Sequence, residues 1–473
     1  FNFKKRTLMT IKSPDILHEQ INSIIALFSS GQTQEALNAV EALIKDYPNE
    51  PVLYNISGAC YAGLGQFDTA VRDYEKAIAI KPNYSKAHFN LGGTLQELGQ
   101  LDASVKSFEK ALDIEPDYAE AHNNLGIALK DLRQLDAAVK SFKKAIAIKP
   151  DYVEAHYSLG VILNELNQKD AALKSLEKAV AIKPDFAEAH FNLGDTLREL
   201  GQLNEAVKCY EKVTAIKPDY ADAYNNLGIT YMDLGQQDKA VKCYEKALAI
   251  DSNFAEAHNN LGNVLKALGQ YDEAIKSYEK VLAIKPDFVD SHNNLGITYM
   301  DLGQQDKAIK CYKKALAINP DFADAHNTLG IAHMNLGQLD VAVKCYEKAL
   351  AINPDYVEAH NNLGMALTDL GKLDEALISC GHATILKPDL EYIFGATLNT
   401  KMKLCIWNNL TKHLDELTNK INNNKKVITP FYMLGLIDDP ELQRKVAEIQ
   451  TIDKYPKNHD LPRIGQYPKH KKI

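Results

Sequence analysis

A 34-residue period dominates the amino-acid sequence and constrains the fold more than any other feature. Residues 119–152 read AEAHNNLGIALKDLRQLDAAVKSFKKAIAIKPDY, and residues 255–288 read AEAHNNLGNVLKALGQYDEAIKSYEKVLAIKPDF. The same frame runs without insertion from Leu17 to Leu390, which makes eleven units, here called repeats 1 to 11. A unit of this length is one supersecondary motif that cannot bury its apolar face alone. The period therefore predicts a stacked array and not a single globular core.

Each repeat reads as two helices when its residues are numbered as positions 1 to 34. In most repeats positions 7 and 8 are Leu-Gly, position 20 is alanine, position 24 is aromatic and position 32 is proline. Small residues let two helices approach closely, and the aromatic ring fills the space between neighbouring helices. Glycine at position 15 suits the left-handed turn that ends the first helix, and proline cannot continue the second. Arg133 and Asn167 replace that glycine, Leu176 replaces the aromatic residue and Ser252 replaces proline, so we expect local loosening there.

This pattern resembles the tetratricopeptide repeat (TPR) family over residues 17–390. The resemblance implies an all-α, right-handed superhelical TPR solenoid of eleven 34-residue helix-turn-helix repeats, followed by a short helical and irregular C-terminal extension. We accordingly divide the chain into an N-terminal leader (1–16), the repeats (17–390), a helical transition region (391–452) and a linker (453–473). In the transition region, Asp439-Pro440 is typical of a helix start, with Asp439 as the cap.

Composition excludes several functional classes. The net charge is −8, and residues 17–390 hold 36 Lys and Arg against 52 Asp and Glu, which argues against a nucleic-acid partner. No apolar run approaches the length of a membrane span or a signal peptide. The seven cysteines include no C-x-x-C pair, which favours free thiols in a reducing compartment. We therefore expect a cytoplasmic protein without a membrane partner.

The first helix of each repeat is expected to line the concave surface of the array. Positions 2, 6, 9 and 13 share one stripe of that helix, by the 3.6-residue period. Positions 2 and 13 are mostly acidic. Position 6 is asparagine in seven repeats, at Asn90, Asn124, Asn192, Asn226, Asn260, Asn294 and Asn362.

An asparagine amide carries both donors and an acceptor, so a ladder of amides suits the backbone of an extended polypeptide. The flanking carboxylates would favour basic or hydroxyl-bearing partners. The sequence thus predicts that these seven asparagines bind extended segments of other proteins. The alternative is that asparagine is a solvated polar filler copied when the repeats were duplicated.

The sequence does not contain the motifs that are typical of catalytic or phosphate-binding sites. There is no Gly-rich phosphate loop, no H-E-x-x-H motif and no nucleophile elbow. Histidine recurs at position 4 of eight repeats, but packed helices lie ~8–10 Å apart, too far for one histidine per repeat to converge on an ion. We interpret these histidines as bulky packing residues. No catalytic, cofactor-binding or metal-binding residue is predicted.

A narrower resemblance involves the C-terminal extension. The blocks NTKMKLCIWNNL (399–410), TPFYMLGLIDDPELQRKVAEI (429–449) and DKYPKNHDLP (453–462) resemble the segment that joins TPRs to the catalytic half of SPINDLY-type O-linked N-acetylglucosamine transferases. The resemblance implies a chain truncated before a glycosyltransferase domain, in which UDP-N-acetylglucosamine would bind and donate its sugar to Ser or Thr of proteins. The array would then be the substrate-recognition half of that enzyme. The alternative is a stand-alone TPR adaptor that assembles protein complexes, and association into a homodimer is left open.

Overall fold

The computed structural model describes residues 14–388 and 392–454, and their regular structure is α-helical. None of the described helices is both long and apolar enough to span a lipid bilayer. Repeats 1 to 11 supply the helices α1 Pro14–Ser29, α2 Thr33–Asp46, α3 Pro51–Gly63, α4 Phe67–Ile80, α5 Ser85–Glu97, α6 Leu101–Ile114, α7 Ala119–Asp131, α8 Leu135–Ile148, α9 Val153–Glu165, α10 Lys169–Ile182, α11 Ala187–Glu199, α12 Leu203–Ile216, α13 Ala221–Asp233, α14 Gln237–Ile250, α15 Ala255–Ala267, α16 Tyr271–Ile284, α17 Val289–Asp301, α18 Gln305–Ile318, α19 Ala323–Asn335, α20 Leu339–Ile352, α21 Val357–Asp369 and α22 Leu373–Leu386. The extension supplies α23 Ile393–Lys403, α24 Leu410–Asn422, α25 Pro430–Leu434 and α26 Pro440–Lys454.

The prediction of an all-α solenoid of helix-turn-helix repeats is confirmed. The chain divides into two compact units, Phe1–Gln236 and Gln237–Ile473. Within each unit, every helix of the repeats packs against the helices that precede and follow it. Residues 1–13 of the predicted leader and residues 455–473 of the predicted linker lie outside the described part of the chain.

The turn between the two helices of a repeat closes in the same way along the array. In repeat 3 the Gln100 N–H donates to the Leu95 carbonyl at 2.8 Å, and the Gly99 N–H donates to the Gln96 carbonyl at 2.9 Å. This pair of bonds is a Schellman motif, which requires a left-handed residue after the helix. Gly99 supplies it with φ +72°. Arg133 and Asn167 adopt the same conformation at φ +60° and +56°, so the turn is kept without glycine. The cost is steric strain between the Cβ atom of each residue and the backbone carbonyl that follows it.

The contact between positions 8 and 24 explains why a repeat needs glycine at one and a ring at the other. A Cβ atom on Gly92 would lie 2.8 Å from Cδ1 of Phe108, and one on Gly194 would lie 2.8 Å from Cε1 of Tyr210. In repeat 5, Leu176 occupies the place of the ring and lies fully buried against Gly160. The expected loosening at Leu176 is therefore not seen, because the leucine fills the same space.

Helix α23 extends the repeat architecture beyond Leu390. It packs against α22 as each first helix packs against the preceding second helix. Its C-cap is followed by Cys405 at φ +57°, in the slot that glycine holds at position 15 of most repeats. After this turn the frame is lost, and α24 to α26 enclose a separate hydrophobic core with α23, built on Leu398, Leu417, Ile421, Val427, Ile428, Met433, Leu442 and Val446. Asp439 caps α26 as predicted, since its carboxylate accepts the Glu441 N–H at 3.0 Å.

Candidate binding face of the first helices

The side chains at positions 2, 6, 9 and 13 form the solvent-facing stripe of the first helices of repeats 3 to 11, here called the groove face. On α7, Glu120 and Asp131 are exposed and Asn124 and Ile127 half-buried, whereas most residues between them are buried. Within each unit, Cα atoms of consecutive first helices approach within 8 Å, but none of consecutive described second helices do. The layer of first helices is therefore the tighter one, and the groove face lies on the inner side of each unit.

The seven asparagines at position 6 are all half-buried on this face. In five of them the amide N–H donates to a side chain of the preceding repeat. The bonds run from Asn90 to Asn55 at 3.0 Å, Asn192 to Tyr157 at 3.2 Å, Asn226 to Asp195 at 3.0 Å, Asn294 to Asn263 at 3.1 Å and Asn362 to Asn327 at 3.0 Å. Asn124 instead accepts the Asn123 amide at 3.2 Å.

These bonds change what the ladder offers to a ligand. The sequence suggested free amides with donors and acceptor alike, but one donor of each of these five amides is used to tie a repeat to its predecessor. Asn192 uses both N–H groups, the second toward the Glu188 carbonyl at 2.9 Å. The carbonyls of Asn124 and Asn226 each accept the amide of the preceding asparagine, but an amide carbonyl has a second lone pair. The groove face therefore still offers carbonyl acceptors to the N–H groups of a polypeptide backbone.

Position 9 forms the floor between successive asparagines, although no residue at this position was predicted to bind. Its residues are half-buried and mostly apolar, namely Ile127, Val161, Ile229, Ile297, Ile331 and Met365. Repeat 3 has Gly93 at this position, and repeats 6 and 8 have the polar residues Asp195 and Asn263. The signal was present in the sequence as a polar residue at a position that is otherwise nonpolar.

Asp195 brings a carboxyl group into the floor. Its Oδ1 accepts the Tyr210 hydroxyl at 2.5 Å and the Asn226 amide at 3.0 Å. Burial raises the pKa of Asp195 above its usual value, although both hydrogen bonds oppose the shift. Asn263 accepts the Tyr278 hydroxyl at 2.7 Å and the Asn294 amide at 3.1 Å, so repeat 8 holds the neutral version of the same network.

Six of the carboxylates at positions 2 and 13 are paired with basic groups of the protein itself. At position 2, Glu256 accepts Lys285 at 2.6 Å, Glu188 pairs likewise with Lys217, and Glu120 lies 4.0 Å from Lys149. The lysine hydrogen bond lowers the pKa of Glu188 and of Glu256.

At position 13, the partners come from the preceding repeat: Arg133 for Glu165, Lys169 for Glu199 and Arg198 for Asp233. The face is therefore less negative than its sequence count suggests. The preference of this face for basic partners stays a prediction. The internal ion pairs reduce its support, because they neutralise part of the negative charge.

The histidines at position 4 hold the turn that precedes their own repeat. Their Nε2 atoms lie 2.8–3.1 Å from the backbone carbonyl six residues earlier, which belongs to proline in seven cases and to Ser252 in one. Burial lowers the pKa of His122, His190 and His292, which favours the neutral ring with Nε2–H as donor. No group of three or more His, Cys, Asp or Glu side chains among the described residues is arranged to hold a metal ion.

Solved structures with a similar architecture include a crystal structure of MamA, which is 32% identical, with 34% of this chain and 95% of that chain covered and a TM-score of 0.32. The crystal structure of YrrB, titled as a TPR protein with an unusual peptide-binding site, is 26% identical, with 40% and 96% covered and a TM-score of 0.35. The APC/C hetero-tetramer Cut9-Hcn1 is 15% identical, with 90% and 95% covered and a TM-score of 0.44. A comparison with curated protein sequences gave no match.

Models of protein families match the chain over most of its repeats. A model described as TPR repeat matches residues 58–99, 94–133, 129–166, 162–197, 194–235, 230–269, 262–303, 298–337 and 334–371. A second, described as tetratricopeptide repeat, matches residues 357–390. These matches follow the 34-residue frame and together extend over more than half of the chain. The chain therefore belongs to the tetratricopeptide repeat family.

Proposed function

We propose that the groove face binds extended segments of other proteins, mainly through their backbone. The observation that carries this proposal is the row of half-buried asparagines, five of which are oriented by a hydrogen bond to the preceding repeat. A fixed acceptor loses little conformational freedom when it binds, so it favours affinity. The aliphatic floor at position 9 adds apolar contact between successive amides.

The spacing of the ladder fits a polyproline II or similarly extended ligand. Packed helices lie about 8–10 Å apart, which sets the step between successive amides. A polyproline II chain rises ~3.1 Å per residue with three residues per turn, so it presents the same side every ~9 Å. Where consecutive repeats of one unit carry the asparagine, such a segment meets one of them with every third residue, without any requirement on its other side chains.

The test replaces Asn192, Asn226, Asn260 and Asn294 with alanine. Peptides are first selected on the wild-type chain from a phage-displayed library of random dodecapeptides. The selected peptides are then synthesised, and their affinities are measured by calorimetry. Each lost hydrogen bond is worth about 0.5–1.5 kcal/mol, so we expect the quadruple variant to bind at least roughly thirtyfold more weakly.

The matched control carries four alanines in the same repeats but on the second helices, at Lys208, Lys242, Lys276 and Lys310. It should bind like the wild type. Circular dichroism checks that both variants keep their helicity, because the asparagines also tie repeats together. An unchanged affinity of the asparagine variant, or an equal loss in the lysine variant, refutes the proposal.

We also propose, as a narrower function, that the array recognises protein substrates for an O-linked N-acetylglucosamine transferase. The support is that residues from two of the resembling sequence blocks pack together: Leu410, Met433, Leu442 and Val446 belong to one hydrophobic cluster. A stand-alone adaptor, the alternative, has no evident need for such an extension. The reading frame beyond Ile473 tests this proposal, because an encoded α/β region would support the enzyme and a stop codon would support the adaptor. Pairing of two copies requires a surface outside the groove and is a separate proposal.

A further inference from the structure

The junction between repeat 11 and α23 departs from the earlier junctions at three packing positions. Position 7 is leucine in repeats 3 to 11, and positions 11 and 28 are mostly leucine, isoleucine or tyrosine. Counted in the same frame, α23 carries Thr397 at position 7 and Lys401 at position 11, and α22 carries Thr384 at position 28. Positions that are mostly apolar elsewhere in the array are therefore polar at this junction.

The preceding junction shows what these three positions do in a complete repeat. Leu350 of α20, at position 28, packs against a buried cluster that includes Leu363 and Leu367, at positions 7 and 11 of α21. Leu363 and Leu367 are only 8% and 3% exposed. One repeat later, two threonines are smaller than the leucines they replace, and the lysine keeps its ammonium group near water. The same space is therefore not filled by the chain in the same way.

A cavity of about 290 Å³ lies at this junction, between α22, α23 and α24. The three polar replacements line it, together with Phe394 and Leu398 of α23 and His413, Glu416 and Lys420 of α24. Ligand pockets usually enclose ~300–1,000 Å³, and they combine apolar walls with a few convergent polar groups. The cavity has this character and the size for a small organic molecule.

The charged groups of the cavity are not balanced. Two lysines and one glutamate line it, which leaves one net positive charge when histidine is counted as neutral. Lys420 lies 3.6 Å from Glu416 and forms an ion pair with it. Lys401 is half-buried and forms no ion pair with any residue that the structure describes. A partly desolvated ammonium group without a counter-charge favours the binding of an anion.

The two threonines restrict where such an anion can lie. The Thr384 hydroxyl donates to the Cys380 carbonyl at 2.8 Å, and the Thr397 hydroxyl donates to the Ile393 carbonyl at 2.9 Å. Each O–H group is thus engaged within its own helix, and the two hydroxyl oxygens lie 3.5 Å apart. These oxygens present lone pairs to the cavity and would repel an anion. The anionic group is therefore expected at Lys401.

We propose that this cavity binds a small aromatic monocarboxylate, whose carboxylate pairs with Lys401. The Phe394 ring supplies an apolar wall, and His413 already stands edge-on to it with ring centroids 6.4 Å apart, an arrangement that aromatic groups favour. One negative charge matches the net charge of the cavity. A phosphate monoester would bring about −1.5 to −2 charges and would meet Glu416.

Saturation-transfer NMR on the full chain tests the proposal, with 3-phenylpropanoate as the probe. A ligand of this size should bind with a dissociation constant on the order of millimolar. The uncharged 3-phenylpropanamide has nearly the same shape and should bind about tenfold more weakly, because the charge-assisted hydrogen bond to Lys401 is lost. Equal affinities for the two compounds, or tighter binding of phenyl phosphate than of the carboxylate, overturn the proposal.

Substitutions on α23 place the site. Lys401→Gln should weaken binding of the carboxylate about tenfold, and Lys401→Arg should retain most of the affinity. The matched control Lys403→Gln makes the same change two residues further along the helix, at an exposed residue outside the cavity, and should bind like the wild type. Unchanged binding in Lys401→Gln, or an equal loss in Lys403→Gln, refutes the site.

Thr397→Leu tests the cavity without altering its charge. It restores the leucine that repeats 3 to 11 carry at position 7, so the variant should fold, as circular dichroism would check. The larger side chain should occupy the space for the ligand and weaken binding at least about tenfold. A wild-type chain without saturable binding of 3-phenylpropanoate, or a Thr397→Leu chain that binds it as tightly as the wild type, overturns the proposal.

Discussion

Gly92 and Gly93 are neighbours on α5 and test the packing rule of the array with one methyl group. A Cβ on Gly92 would lie 2.8 Å from both Cδ1 and Cε1 of Phe108, far inside van der Waals contact, whereas a Cβ on Gly93 would meet nothing within 4 Å. Both glycines lie in the interior of the same helix. Any difference between their alanine variants therefore reports the contact with the ring and not the helix itself.

Both substitutions improve helix propensity, but only Gly92→Ala also forces a methyl group against Phe108. Replacing glycine by alanine in a helix interior gains about 0.5–1 kcal/mol of stability, and Gly93→Ala should gain that amount. Gly92→Ala gains the same but also forces Phe108 aside, and overpacking of this kind costs about 1–3 kcal/mol. The propensity term cancels in the comparison. Gly92→Ala should thus be less stable than Gly93→Ala by about 1–3 kcal/mol.

Amide hydrogen exchange of α5 and α6 is the appropriate assay, because repeat arrays need not unfold in one step. Peptides from residues 85–114 should exchange about 5- to 150-fold faster in Gly92→Ala than in Gly93→Ala, since 1.4 kcal/mol corresponds to a factor of ten. Peptides from distant repeats serve as the internal control and should not change. Equal protection in the two variants would show that the ring does not need the glycine.

Three further substitutions test the turns and the floor of the groove. Arg133→Gly should stabilise repeat 4 by about 1 kcal/mol, because Arg133 sits at φ +60° where glycine bears no strain, and Asn167→Gly should gain less because asparagine tolerates that region. Thermal melting checks the order, and a loss of stability in Arg133→Gly contradicts it. Asp195→Asn should raise the melting temperature most near pH 7. The raised pKa of Asp195 means that the folded state takes up a proton before the unfolded state as pH falls, so the wild type regains stability and the advantage shrinks toward pH ~4. An advantage that stays constant with pH refutes the raised pKa.

The repeat architecture was predictable from the sequence because the same residue types recur at the same packing positions of most repeats. Gly92 and Phe108 are separated by a fixed number of residues that recurs along the chain, so a local pattern specified a tertiary contact. The solvent-facing stripe of the first helices was predictable for the same reason. Helix α23 was less evident, because Cys405 takes the glycine slot and the second helix of that motif is absent.

The groove itself was only partly predictable. The sequence located Asn226 on the inner face, but it did not reveal that the amide donates to Asp195 of the previous repeat. That bond depends on the offset between neighbouring repeats, a rigid-body quantity that no single repeat encodes. The pairing of Glu188 with Lys217 was missed similarly, because the two residues stand 29 positions apart and meet only when the second helix folds back.

The asparagine bonds have a mechanical consequence for the array. They join consecutive first helices at the inner face, whereas the backbones of consecutive described second helices stay apart. Within each unit, the layer of first helices should therefore be the stiffer layer, and the layer of second helices the more deformable one. Bending should then open or close the gaps between second helices while the distance from one asparagine to the next stays nearly constant. A polypeptide bound along the groove face would keep its register while the layer of second helices flexes.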